Sequence, residues 1–221
     1  MLRKMAWMAP LALLVTGSAQ AQDPRIELQG WAGYTFSDGV SGDPQEGSDG
    51  RIYDRIDPKN SPSYGASIGF FMTEHLEVGF LWNRQDSTLV AKGNTTTEVS
   101  PMNLDNYHGF FAYNFGYADD PVRPYVLGGL GVTRYSNVTI AGALDTREVP
   151  SQSRFSTTWG LGVKVYPSHN LGLFAEGRRT PTYVKTDAAG WWCDPWWGCW
   201  VVGNAQYANQ LELGGGITLR F

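Results

Sequence analysis

The sequence predicts an all-β chain: an antiparallel, up-and-down transmembrane β-barrel of about eight strands. Three observations predict it. Apolar and polar residues alternate with a period of two in segments of roughly ten residues that recur every ~25 residues, so each segment reads as a two-faced strand. Short turns and long polar loops alternate between those segments. Beyond the N-terminal region, no apolar run approaches the ~20 residues that a spanning helix needs.

The N terminus is read first. Arg3 and Lys4 precede an apolar stretch from Met5 to Val15, which is followed by Ala19, Gln20 and Ala21. A basic region, an apolar core and a small-x-small cleavage site make a secretory signal peptide. Residues 1–21 are therefore expected to be removed, and residues 22–221 to form one outer-membrane barrel domain. The residue immediately after the cleavage site is Gln22 and not a cysteine, so a lipid-anchored N terminus is not expected.

The first strand runs from Ile26 to Phe36, with Ile26, Leu28, Ala32, Tyr34 and Phe36 in phase. Ser37 to about Pro62 is polar and rich in Asp, Gly and Pro, and reads as a loop. Tyr64 to Met72 is the second strand, and Thr73-Glu74-His75 is a tight turn. Leu76, Val78, Phe80 and Trp82 mark the third, and a second loop is expected from Asp86 to Pro101. Leu104 to Phe115 is the fourth, setting Tyr107, Phe111 and Tyr113 against Asn106, His108 and Asn114. After a turn at residues 117–121, the fifth spans Pro124 to Tyr135, where Gly128, Gly129 and Gly131 leave its facing open. A third loop covers Ser136 to about Gln152. The sixth strand is Phe155 to Tyr166 and the seventh Leu171 to about Tyr183, joined by a turn at residues 167–170. A fourth loop leads to a closing strand that ends at Phe221.

Alternation alone does not say which face is inside, because a secreted lipocalin-like barrel alternates too and points its apolar face inward. The connections decide it. Short turns follow strands two, four and six, and long loops follow one, three, five and seven, which is the asymmetry of outer-membrane barrels with a periplasmic N terminus. In that arrangement Leu211, Leu213, Ile217 and Leu219 face lipid, while Gln210, Glu212, Thr218 and Arg220 face the lumen.

The closing strand with its terminal Phe221, the signal peptide, the segment Pro124-Tyr-Val-Leu-Gly-Gly-Leu-Gly131 and the segment Leu173-Phe-Ala-Glu-Gly-Arg178 together resemble the small outer-membrane β-barrel family. OmpA- and OmpX-type barrels are its familiar members. The resemblance covers the mature chain and lies in pattern more than in unique motifs. It implies residence in the outer membrane, contact with outer-membrane lipid and insertion by the barrel-assembly machinery. A periplasmic peptidoglycan-binding domain is not expected, since the chain closes with the barrel.

Composition agrees with this. Glycine (27 residues) and aromatics (14%) are abundant and charges few (17%), which suits tightly spaced strands with aromatic girdles. The mean hydropathy of −0.28 is no obstacle, since only alternate residues need be apolar. A net charge of −4 with no basic cluster disfavours nucleic-acid binding.

Candidate sites lie in two places. Glu77, Lys164, Glu176, Arg178, Glu212 and Arg220 fall on the lumen face and are read as a polar network that plugs it, because a barrel of about eight strands is only wide enough for side chains to fill. Arg178 and Glu212 lie at similar heights on adjacent strands, within reach of each other. The alternative for the same residues is a narrow channel for small solutes. Catalysis is not expected. His75 and His169 fall in turns, His108 has Asn106 and Phe110 as same-face neighbours on its own strand, and neither a triad nor metal-ligand spacing is evident. A lipid-A-modifying enzyme is the least supported reading, and no cofactor is expected.

The fourth loop is the second place. Cys193 and Cys199 are the two cysteines, and their separation by Asp-Pro-Trp-Trp-Gly suits a small-loop disulfide in an exported protein. Trp191, Trp192, Trp196, Trp197 and Trp200 surround them. They read either as part of the interfacial aromatic belt or as a rigid surface for an extracellular ligand. The overall expectation is a monomeric outer-membrane barrel with a structural or surface-interaction role carried by its extracellular loops.

Overall fold

The computed structural model describes residues 26–46, 52–141, 146–184, 193–194, 198–199 and 206–221. The expected signal peptide, residues 1–21, lies outside them. In chain order the strands begin with β1 (Ile26–Asp38), β2 (Val40–Glu46), β3 (Ile52–Pro58), β4 (Ser61–Phe71) and β5 (Leu76–Gly93). Next come β6 (Thr96–Asn114), β7 (Val122–Tyr135), β8 (Val138–Ala141), β9 (Thr146–Val149) and β10 (Gln152–Val165). The last are β11 (Leu171–Val184), β12 (Cys193–Asp194), β13 (Gly198–Cys199) and β14 (Gln206–Arg220).

Eight of these form the wall, in the order β1-β4-β5-β6-β7-β10-β11-β14. Every neighbouring pair is antiparallel, and β14 returns to β1 so that no wall strand is left as an edge. One register row can be followed round the wall through Ile26, Phe70, Val78, Phe111, Gly128, Trp159, Arg179 and Leu211, and it meets β1 again at Phe36. The row has climbed ten residues along β1 in one circuit. That stagger is the shear of the barrel, and closing eight strands with it tilts them by about 35–45°. Because the shear is even, the inward and outward phases match where the sheet closes.

The faces are inverted relative to a water-soluble barrel. Phe111 (66% exposed), Leu161 (67%) and Leu213 (53%) stand outward, whereas Thr133, His108, Arg123 and Lys164 are at most 1% exposed. Two aromatic bands bound the outward apolar zone. Tyr34–Phe36, Tyr64–Trp82 and Tyr183–Tyr207 stack in the half where the long connections lie. Tyr113–Phe115 and His75–Tyr117 do so beside the short turns. Aromatic girdles at both interfaces are what a lipid-embedded barrel needs.

The short connections at residues 72–75, 115–121 and 166–170 match the expected tight turns. Gly116 makes the second of them possible, because its backbone has φ of 81°, a left-handed conformation that side chains other than glycine's resist.

The long connections differ from expectation. The stretch from Asp86 to Pro101 is not a loop: β5 and β6 continue as a paired ladder to Gly93 and Thr96. Much of Ser37 to Pro62 is strand as well, with β2 paired to β3 and β3 paired to the far end of β5. Polar residues form these strands because ladder hydrogen bonds to neighbouring backbone need no apolar alternation once the strand has left the lipid. Asp57 fastens this corner, receiving Arg55 Nε at 2.7 Å, Lys92 Nζ at 2.6 Å and the Gly39 amide at 2.9 Å. Farther out, Lys59 Nζ donates to Glu98 Oε1 at 2.6 Å, a bond that raises the lysine's pKa above its ordinary value. The third loop contains the small hairpin β8–β9.

Candidate functional site

The lumen is filled in layers. Nearest the short turns, Glu27 accepts from Lys164 Nζ at 2.5 Å, Arg220 Nε at 3.2 Å and the Tyr166 hydroxyl at 2.8 Å. Lys164 also reaches Glu77 Oε2 at 3.0 Å, and Asn114 Nδ2 donates to the same oxygen at 3.2 Å. Above this ionic layer lies an apolar one. Leu81, Phe110, Ala112, Tyr125 and Leu127 pack together, with Trp31 against them. These side chains occupy inward phases of β1, β5, β6 and β7, so hydrophobic surface here closes the lumen instead of facing lipid.

A second ionic group follows. Arg178 pairs with Glu212, its register partner across β11 and β14, and approaches Glu176 at 3.5 Å. Glu212 also accepts from Ser63 at 2.7 Å, Trp31 Nε1 at 3.1 Å and Asn83 Nδ2 at 3.2 Å. The Arg178 guanidinium stands 4.7 Å from the Trp31 ring centroid, so the pair is braced from the apolar side as well. Tyr125 donates its hydroxyl to Glu176 at 2.6 Å, tying the apolar layer to this one. A buried ion pair holds only when its remaining lone pairs and protons are satisfied, and these contacts do that for Glu212.

Toward the outer mouth amides and hydroxyls carry the network, beside Arg154, whose Nη2 donates to Gln152 at 2.6 Å. Asn106 Nδ2 donates to Asn83 at 2.7 Å and to Gln210 at 2.9 Å, and Gln210 Nε2 donates to Gln85 at 3.2 Å. Thr133, Thr182, Ser156 and His108 extend it, with His108 Nε2 2.9 Å from Ser156 Oγ. Between the ionic groups the structure leaves a cavity of about 10 Å³, bordered by Trp31, Glu77, Leu127, Lys164 and Arg178. That is room for about one water molecule.

All six charges anticipated on the lumen face lie inside the wall: Glu77, Lys164 and Arg220 belong to the lower group, Glu176, Arg178 and Glu212 to the upper. Sequence reading omitted Glu27 and Arg123. Both carried the signal, since Glu27 alternates with Ile26 and Leu28, and Arg123 lies one residue before the anticipated start of its strand. It also missed the partner of His108. Ser156, Gly131 and His108 share one register row across β10, β7 and β6, and Gly131 between them carries no side chain. A Cβ there would come 1.9 Å from the Tyr107 carbonyl and 2.9 Å from the His108 ring. Because His108 Nδ1 has no partner among the described residues, the contact supplies a hydrogen bond and not an oriented base.

In the fourth loop, β12 and β13 form a two-residue antiparallel ladder in which Cys193 lies opposite Cys199. Trp191, Trp192, Trp196, Trp197 and Trp200 lie outside the described residues, as do the side chains of both cysteines.

A closed antiparallel wall with lipid-facing aliphatics, two aromatic girdles and a polar interior defines an outer-membrane β-barrel protein. Residues 52–191 match the family described as the OprF membrane domain. The chain belongs to that family, which places it within the small outer-membrane barrels and locates it in the outer membrane. A stretch of 108 residues is 32% identical to Outer membrane porin F of Pseudomonas fluorescens, covering 48% of this chain and 31% of that protein. The match therefore spans less than a third of that relative's length. Among solved structures, OprG from Pseudomonas aeruginosa superposes with a TM-score of 0.62 at 14% identity, over 90% of this chain and 96% of that one. Neisserial surface protein A superposes with a TM-score of 0.53 at 17% identity, over 89% and 97%. At such identities the likeness is one of fold alone.

Proposed function

We propose that this protein is a plugged barrel with a structural or surface-interaction role, carried by the parts that project beyond the outer leaflet. The observation that carries the reading is the filled lumen. A hydrated ion crossing it would have to separate Lys164 from Glu27 and Glu77, pass the layer of Leu81, Phe110 and Leu127, and then part Arg178 from Glu212. Separating buried pairs without water to replace them is strongly opposed.

The projecting surface supports the second half of the reading. The β5–β6 extension, with β3 along its side, makes a paired sheet instead of loose loops. Leu89, Val90, Met102 and Ile56 are buried within this region beyond the wall. An ordered surface loses less entropy on meeting a partner than a flexible one. The opposed positions of Cys193 and Cys199 suit a disulfide that would stiffen the tryptophan-rich loop in the same way. On this reading the protein acts as a monomer in contact with outer-membrane lipid, after insertion by the barrel-assembly machinery, and without catalysis.

A narrow channel is the second reading, favoured by the word porin in the name of the Pseudomonas fluorescens relative. Bilayer conductance of the purified, folded protein separates the two: stable ion-carrying openings support the channel, and a silent bilayer with verified insertion supports the plug.

A further inference from the structure

The lumen layer beside the short turns holds more positive than negative charge. Lys164, Arg123 and Arg220 are there with Glu27 and Glu77, three cations to two carboxylates, each no more than 3% exposed. Both carboxylates already hold a cation, Glu27 through both of its oxygens and Glu77 through Oε2. Glu27 receives Lys164, Arg220, Tyr166 and Gln29, and Glu77 receives Lys164 and Asn114. Arg123 makes no ion pair among the described residues. Its Nη2 donates to the Glu74 carbonyl at 2.5 Å, a contact that neutralises no charge.

Unpartnered polar atoms gather at the same level. Arg123 Nε, Arg220 Nη2, Thr218 Oγ1 and Asn114 Oδ1 are all buried without a hydrogen bond among the described residues, and the first two are cationic donors. The Phe71 ring brings the cations together: Arg123 Cζ is 5.6 Å from its centroid, Lys164 Nζ 5.8 Å and Arg220 Cζ 6.0 Å. The turn carboxylates do not resolve the excess. Glu74, Asp119 and Asp120 form no ion pair with either arginine among the described residues, and Asp120 Oδ2 instead accepts the Tyr117 amide at 2.7 Å. The second turn does contribute the Ala118 carbonyl to Arg220 Nη1 at 3.1 Å, again a neutral acceptor.

A buried charge without a counter-charge is strongly disfavoured, and so is a buried guanidinium N–H without an acceptor. We infer that a small monovalent anion with the chemistry of chloride binds between Arg123 and Arg220, accepting from Arg123 Nε and Arg220 Nη2. One such ion brings the layer to three charges of each sign. The site would hold together β7 and β14, whose arginines already reach the Glu74 and Ala118 carbonyls of two different turns.

Bromide substitution tests this on the full chain as it folds. The refolded protein is crystallised with bromide in place of chloride, and anomalous scattering is recorded at the bromine edge. The expected result is a peak within hydrogen-bond reach of Arg123 Nε and Arg220 Nη2, absent in Arg123→Gln. A water at that position with no anomalous signal overturns the site, as does an ion pair between Arg123 and a turn carboxylate. A second measurement does not depend on crystals. The urea midpoint of the wild type should rise when gluconate is exchanged for chloride at fixed ionic strength, and that of Arg123→Gln should not. A wild-type midpoint indifferent to the exchange counts against the anion.

Discussion

Arg178 on β11 and Glu212 on β14 are direct register partners whose side chains pair inside the wall, at 5% exposure each. The pair sits above the apolar layer, and the carboxylate collects further donors from Ser63, Trp31 and Asn83 on three other strands. One ion pair thus stitches five of the eight wall strands together from within.

Removing one member should therefore cost more than removing both. Arg178→Met leaves Glu212 and Glu176 buried without their cation, and a loss of about 3–5 kcal/mol is expected. Arg178→Met with Glu212→Leu should recover much of that loss, because a packed apolar pair has no charge to compensate. Equilibrium urea unfolding in detergent micelles or liposomes reads both.

The outward face should respond in the opposite sense to polarity. Leu161, at 67% exposure, stands in the middle of the lipid-facing zone. Leu161→Arg is expected to cost about 2–4 kcal/mol, the depth-dependent penalty of a cation near the bilayer midplane. In a water-soluble barrel an exposed leucine at that position would accept arginine with little change, so unfolding in liposomes discriminates between the two orientations.

The alternation from Ile26 to Phe221 located all eight wall strands because a single strand between lipid and lumen must show both environments in its own sequence. Strand ends were harder to place. Beyond the lipid the constraint lapses, so β2, β3 and the far ends of β5 and β6 left no period-two trace and read as polar loop. Lumen contacts between strands were legible only in part. Arg178 and Glu212 sit on adjacent strands with short separation along the wall, whereas His108 and Ser156 meet across an intervening glycine whose facing alternation left open. The apolar layer of Leu81, Phe110 and Leu127 was invisible for a related reason: hydrophobic residues in the lumen phase look like breaks in the pattern.

Gly131 gives a direct check of that packing. Gly131→Val would drive its side chain against the Tyr107 carbonyl and His108, at 1.9 and 2.9 Å from the first added carbon. Overpacking of this kind costs roughly 1–3 kcal/mol and more where backbone must move. The variant should unfold at clearly lower urea than the wild type, while a valine at outward Gly109, where the nearest atoms are 4.0 Å away, should be tolerated.

The facing positions of Cys193 and Cys199 predict a bond between them in protein taken from the outer membrane. Mass spectrometry after alkylation without reductant should find neither thiol modified, and both modified after reduction. Two alkylated thiols in the unreduced sample would remove the clip from the tryptophan-rich loop.

The central claim is that the layered lumen is closed, and single-channel recording in planar bilayers tests it most directly. Protein whose insertion is verified by heat-modifiable mobility should give no stable openings, and Arg178→Met with Glu212→Leu should stay equally silent, since the apolar layer below it is untouched. Reproducible ion-carrying openings from the wild type would contradict the plug and make the protein a channel.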